Sequence, residues 1–258
     1  MLLAVLIYEQ EPVGLIVNPY AFLPKLLLVA LLLYVSRLLY FYAYAKIDVA
    51  LVTVFSSLTP IYTVVAAYVL LGEAPSAMVL AGVMMISGSL YMLFLKPATG
   101  PLRFSSTLAP FRLVGRSRPT LYAFLSTVPP ALASVLQKEL LQSLSPTEFS
   151  FYLLLFIGIM GMATNGFYLK TSAFITQLRH IPLHFILVSA AFLPLMHIVF
   201  SLALREQATS VSMVLQRFSI PLQMGFAYVF LHEKQEIGKR LTVAGGMLLG
   251  LCMIASAP

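Results

Sequence analysis

Charge is scarce in this 258-residue chain: Asp, Glu, Lys and Arg together make up 10% of it, and tryptophan is absent. So little charge cannot solvate the surface of a water-soluble protein in which 60% of residues are hydrophobic and the mean hydropathy is +0.94. A single cysteine, Cys252, excludes an intrachain disulfide framework, and its place in an apolar run makes it a small packing residue. Neither a Walker sequence nor a Gly-rich phosphate loop is present. His180 and His184 stand four apart, as metal ligands on a helix do, but Pro182 separates them and no acid or cysteine is near, so no metal site is expected. None of the nine carboxylates falls in the middle third of an apolar run, and Asp48, Glu139 and Glu206 lie at the ends of such runs. An intramembrane lipid-modifying enzyme needs acids or histidines clustered at one depth, so neither catalysis nor a cofactor is expected.

What the chain does have is long apolar runs. A helix needs roughly 20 mostly apolar residues to cross about 30 Å of hydrocarbon. Eight stretches qualify, near residues 24–45, 47–71, 76–95, 119–137, 149–169, 182–204, 207–231 and 239–256. They are continuous and lack the alternation of outer-membrane strands, so the fold class expected is an all-α polytopic membrane bundle. Leu2–Ile7 is too short for a span and reads as the tail of a missing helix.

Basic residues give the orientation. If the spans alternate, one side collects Lys46, Lys96, Arg103, Arg112, Arg116, Arg118, Lys170, Arg179, Lys234, Lys239 and Arg240, and the other only Lys25, Lys138 and Arg205. Eleven against three is a positive-inside signal that makes the loop 96–118 cytoplasmic in a plasma (inner) membrane protein. The net charge of +7 is explained by these loops, so no nucleic-acid partner is expected, and contact with anionic lipid is the lesser reading.

The segment AYVLLGE, Ala67 to Glu73, returns as AYVFLHE, Ala227 to Glu233, 160 residues later. Five spans lie between them, an odd number, so the two copies face opposite sides of the membrane. That is the pattern of an inverted-topology repeat with a site near the midplane. The two longer segments AKIDVALVTVFSSLTPIYTVVAAYVLLGE with AGVMMISGSLYML, and ATSVSMVLQRFSIPLQMGFAYVFLHEK with RLTVAGGMLLGLCMI, resemble the halves of EamA-type proteins of the drug/metabolite transporter superfamily. The resemblance covers roughly residues 24–256 and divides the chain into a first repeat (1–97, incomplete at its start), a basic linker (98–118) and a second repeat (119–258). It implies two five-helix repeats in the family norm of ten helices, of which eight complete ones are seen here, and export or exchange of small metabolites. Ten-helix members usually keep both termini in the cytoplasm, which would put loop 96–118 outside, against the charge count.

Polar residues stranded in spans are the site candidates, because an ionisable group at the bilayer centre costs at least about 2.5 to 3.5 kcal/mol unless it meets a cavity or partner. Arg37, His197 and Arg217 lie mid-span, and Arg37 and His197 are 160 positions apart. Gln216 and Arg217 before Pro221 occupy the span matching that of Ser57 and Thr59 before Pro60, and both prolines should break a helix and free carbonyls. The competing readings are structural: snorkelling for Arg37, packing for His197, interface anchoring for Tyr40, Tyr42, Tyr44 and Tyr62, simple kinks at Pro130 and Pro194, and solvation or capping for Glu73 and Glu233. The two arginines, with no acid beside them, favour an anionic or zwitterionic solute such as an amino acid, organic acid or phosphorylated metabolite. His197 is the one mid-span group suited to proton coupling. The expected function is a permease, exporter or exchanger working by alternating access, with a non-transporting membrane subunit or scaffold as the rival. A homodimer is left open as a partner.

Overall fold

The structure, a computed structural model, describes residues 19–47, 49–94, 109–168, 182–217 and 237–256. Their regular structure is all helical. In chain order the helices are α1 (Pro19–Tyr44), α2 (Val49–Ser56), α3 (Thr59–Leu71), α4 (Ala77–Phe94), α5 (Ala109–Val114), α6 (Arg118–Leu125), α7 (Val128–Leu141), α8 (Pro146–Tyr168), α9 (Leu183–Glu206), α10 (Thr209–Arg217) and α11 (Ile237–Ala255). Among the described residues, four helical segments are long and apolar enough to cross a bilayer: Phe22–Tyr44, Leu51–Leu71, Arg118–Leu141 and Pro146–Thr164. With backbone polar groups paired inside each helix and large apolar side chains such as Phe41, Val69 and Met162 turned outward, this is an integral membrane protein.

Two expected spans, 47–71 and 119–137, are not single helices. Each is divided, at Ser57–Leu58 and at Ser126–Thr127. The second also runs four residues further than its apolar pattern, to Leu141, because Lys138 and Glu139 continue the helix at its polar end.

Where α3 ends, Gly72 adopts a left-handed conformation (φ 68°), with its N–H on the Tyr68 carbonyl and the Glu73 N–H on the Ala67 carbonyl. This left-handed helix C-cap explains the glycine in AYVLLGE. The second copy of the motif, with His232 in the same place, lies outside the described residues, as do Pro221, Glu233, His180, Asp48 and most of the linker.

The chain forms two compact units, one of residues through Tyr34 with Leu136–Glu206, the other of Val35–Val135 with residues from Gln207 on. Each therefore draws on both halves of the sequence. In the first unit α8 packs on α9, with the Ser150 and Ser201 hydroxyls 3.3 Å apart, and Lys25 pairs with Glu139.

The second unit centres on α4 against α11. Val83, Ile86, Leu90, Val243, Met247 and Ile254 form its core, and glycines let the backbones touch. A Cβ on Gly82 would meet the Gly250 carbonyl oxygen at 2.6 Å, and one on Gly246 would run into Ser89 Oγ. Gly82 lies by Gly250 and Ile254 whereas Ser89 lies by Gly246, so the two helices run antiparallel. α10 starts 160 residues after α2, and α11 starts 160 residues after α4, which is the spacing of the sequence repeat.

Candidate functional site

The two helix breaks in the second unit are built alike. Each has eight residues, a two-residue break, then 13 residues in α3 or 14 in α7. The cause is local. Phe55-Ser56-Ser57-Leu58-Thr59-Pro60 and Phe124-Leu125-Ser126-Thr127-Val128-Pro129 share Phe, Ser and Pro at the same spacing, and a second proline, Pro130, follows in α7. Proline has no N–H, so the carbonyls of Ser56, Leu125 and Ser126, four residues before Pro60, Pro129 and Pro130, lose their helical donors. The turn before each proline tightens: Leu58 N–H bonds the Phe55 carbonyl at 3.0 Å and Thr127 N–H the Phe124 carbonyl at 3.2 Å. Ser57 Oγ donates to the Val54 carbonyl and Ser126 Oγ to the Ala123 carbonyl, both at 2.7 Å.

The breaks also meet. The rings of Phe55 and Phe124 pack edge to face at 5.8 Å, and Tyr62 adds a second edge contact to Phe124 at 6.2 Å. From the linker helix α5, Phe111 touches both phenylalanines and stacks on Tyr91 of α4. On α1, Ser36 donates its hydroxyl to the freed Ser126 carbonyl at 2.7 Å.

Next to Ser36 in sequence stands Arg37, half-buried in α1. Among the described residues it forms no ion pair and no hydrogen bond. Ser57 and Thr59 are buried, at 2% exposure each. Since Ser57 gives its proton to Val54, it presents only acceptor lone pairs to anything else. Gln216 is exposed near the end of α10, and Arg217 is that helix's last residue, its side chain outside the described residues. Arg37, Ser57, Thr59 and Gln216 thus belong to one compact unit, and His197, half-buried in α9, to the other.

The opposite end of α10 is fixed by Glu73. The Thr209 N–H donates to Glu73 Oε2 at 3.1 Å and the Thr209 hydroxyl to Oε1 at 3.3 Å. A carboxylate is favoured at a helix N-terminus by the orphan N–H groups and the helix dipole. Of the two roles expected for Glu73, capping is the one seen, and the helix capped is one 136 residues away.

Sequence reasoning missed Ser36, Ser126 and the phenylalanines. The signal available was the second Phe-x-Ser-x-x-Pro string at 124–129, whose proline cluster reads on its own as a plain kink.

The fold and the site define a class first: an integral membrane helical protein with two interrupted helices in one packed unit. Comparison adds a likeness over part of the chain: residues 1–95 match the EamA-like transporter family, in line with the resemblance read from the sequence. Nineteen chains of solved structures match the protein. One, described only as "Crystal structure of protein", is 14% identical with a TM-score of 0.64, and the match covers 99% of this chain and 94% of that one. At such identity the likeness speaks for the fold alone. None of the curated proteins matches the sequence.

Proposed function

We propose that the protein is a membrane transporter that moves a small anionic or zwitterionic solute by alternating access, with Arg37 and the α2–α3 break at its site. The observation that carries this reading is a half-buried arginine, lacking any carboxylate partner among the described residues, next to the serine that bonds the α6–α7 break, one of two helix breaks with matching prolines. Interrupted helices in membranes are tolerated where protein or a wet cavity satisfies the freed backbone, which is why transporters bind solute there. The EamA-like match over residues 1–95 supports the function class.

Support for two inverted repeats (1–97 and 119–258, joined by linker 98–118) and eight spans comes from the helix pairs. Equivalent helices α4 and α11, 160 residues apart, pack antiparallel about their middles, as a two-fold axis in the membrane plane requires. In the same sense, the turn after α3 meets the start of α10. In this reading Gln216 and Arg217 with Pro221 form the second repeat's counterpart of the α2–α3 break, and His197 is the group available for proton coupling.

Uptake into liposomes holding the purified protein tests the proposal, with amino acids, organic acids, sugar phosphates and cationic dyes as solutes. We expect flux of an anionic or zwitterionic solute, reduced at least about tenfold in Arg37→Gln, since a lost charge-assisted hydrogen bond is worth about 1.5 to 3 kcal/mol. Flux of cations alone would overturn the solute assignment. Absence of any flux would return weight to a non-transporting subunit.

A further inference from the structure

We infer that the elbow between α5 and α6 is a contact surface for anionic phospholipid headgroups of the leaflet at that end of the protein. Three apolar segments reach this end: Phe22–Tyr44 finishes here, and Leu51–Leu71 and Arg118–Leu141 start here. Arg112, Arg116 and Arg118 stand in or beside the elbow, all exposed. Lys46 is exposed in the turn after α1, whose neighbour Ile47 packs in one cluster with Val114 of α5 and Phe124 of α6. No carboxylate among the described residues lies on α5, α6 or the α1–α2 turn, and the one acid in that turn, Asp48, lies outside the described residues.

Charge alone would suit any polyanion, but apolar side chains are exposed beside the arginines. Phe111 is 39% exposed, Leu113 41% and Leu121 37%. In water these would be a liability beside three cations. At the headgroup boundary both sets are satisfied, with guanidinium groups on phosphates and the apolar side chains against the upper acyl chains. A nucleic acid or an acidic peptide offers nothing to the leucines.

The elbow is also a fixed scaffold. Phe111 is held by Phe55, Phe124 and Tyr91. The α5–α6 turn closes through Arg116 N–H and Ser117 N–H on the Leu113 carbonyl, and Ser117 Oγ caps α6 by accepting from Thr120 N–H at 3.3 Å. Phe111 thus ties the headgroup contact to both helix breaks.

Native mass spectrometry of the detergent-purified full chain tests this without any transport assay. The protein is mixed with phosphatidylglycerol, phosphatidylcholine or inorganic phosphate, as wild type, as the triple Arg112→Gln, Arg116→Gln, Arg118→Gln variant, as the three single variants, and as the triple Arg→Lys variant. We expect phosphatidylglycerol to be retained over phosphatidylcholine, with the preference falling about fivefold for each arginine lost, weakening in half-molar salt and persisting in the lysine variant. The single variants keep the test decisive if the triple glutamine variant folds poorly. Equal retention of the two lipids by wild type, an unchanged preference in the glutamine variants, or loss of it in the lysine variant would overturn the inference. So would displacement of the lipid by millimolar inorganic phosphate, which would make the elbow a site for the free ion.

Discussion

The α2–α3 and α6–α7 breaks have the same string of residues, the same length of leading helix and the same serine bond back into it, but they treat their freed carbonyls differently. At α6–α7 the Ser126 carbonyl, released by Pro130, accepts the hydroxyl of Ser36 from a neighbouring helix. At α2–α3, among the described residues, no side chain or backbone N–H reaches the Ser56 carbonyl freed by Pro60, or that of Ser57, whose usual partner Ile61 N–H bonds Leu58 instead. One sequence device thus serves two ends. The clamped break fixes α6–α7 against α1, and the unclamped break leaves oxygen atoms for water or solute, which is the reason the proposed site lies at α2–α3.

The largest effect should come from removing what joins the two breaks. Phe55 is fully buried and touches both Phe111 and Phe124, so Phe55→Ala should destabilise the protein by about 3 to 5 kcal/mol. Phe111→Ala, starting from a partly exposed side chain, should cost clearly less in the same thermal melt in detergent.

The clamp itself comes next. Ser36→Ala leaves the Ser126 carbonyl without its donor in a buried place, at a cost of about 1 to 3 kcal/mol. Ser57→Ala removes only a second bond to a carbonyl of its own helix turn, and should cost less than about 1 kcal/mol. If Ser57→Ala were the more damaging of the two, the assignment of a clamped and an unclamped break would be wrong.

The smallest effect is expected outside both breaks. Lys25 and Glu139 form an ion pair with both side chains nearly half exposed, at 48% and 43%. Lys25→Ala should therefore change the melting midpoint by no more than the equivalent of about 1 kcal/mol, less in high salt.

Much of the architecture could be read from the residues. Apolar run length marked the helices, Pro60 marked a break, and the 160-residue spacing of AYVLLGE and AYVFLHE matches the spacing of the starts of α2 and α10 and of α4 and α11. These are local properties, set by side-chain transfer and by the missing proline N–H. What stayed hidden depends on contacts between distant segments. Pro130 reads as a kink, yet beside Pro129 it marks a complete break whose freed Ser126 carbonyl accepts the hydroxyl of Ser36, 90 residues away. Glu73 read as solvated or capping, and only the packed structure names Thr209 as its partner. The compact units mix both sequence halves, because packing follows proximity in space while the repeat follows the chain. For the candidate site, residue types are legible but their duties are not: Ser57 stands out as a polar residue before Pro60, and its hydroxyl proton is already given to Val54.

The most direct test of the central claim, an anion site at Arg37 and the α2–α3 break, is the melting temperature of the purified protein against a solute panel. The panel holds amino acids, organic acids, sugar phosphates, nucleotide sugars and cationic dyes, each measured on wild type, Arg37→Ala and Ser36→Ala. A bound solute raises the melting point by mass action, about 2.7 kcal/mol of stability at a hundredfold excess over its dissociation constant. The account predicts stabilisation by an anionic or zwitterionic solute that is lost in Arg37→Ala and kept in Ser36→Ala. Stabilisation by cations alone, or by an anion equally in wild type and Arg37→Ala, would contradict it.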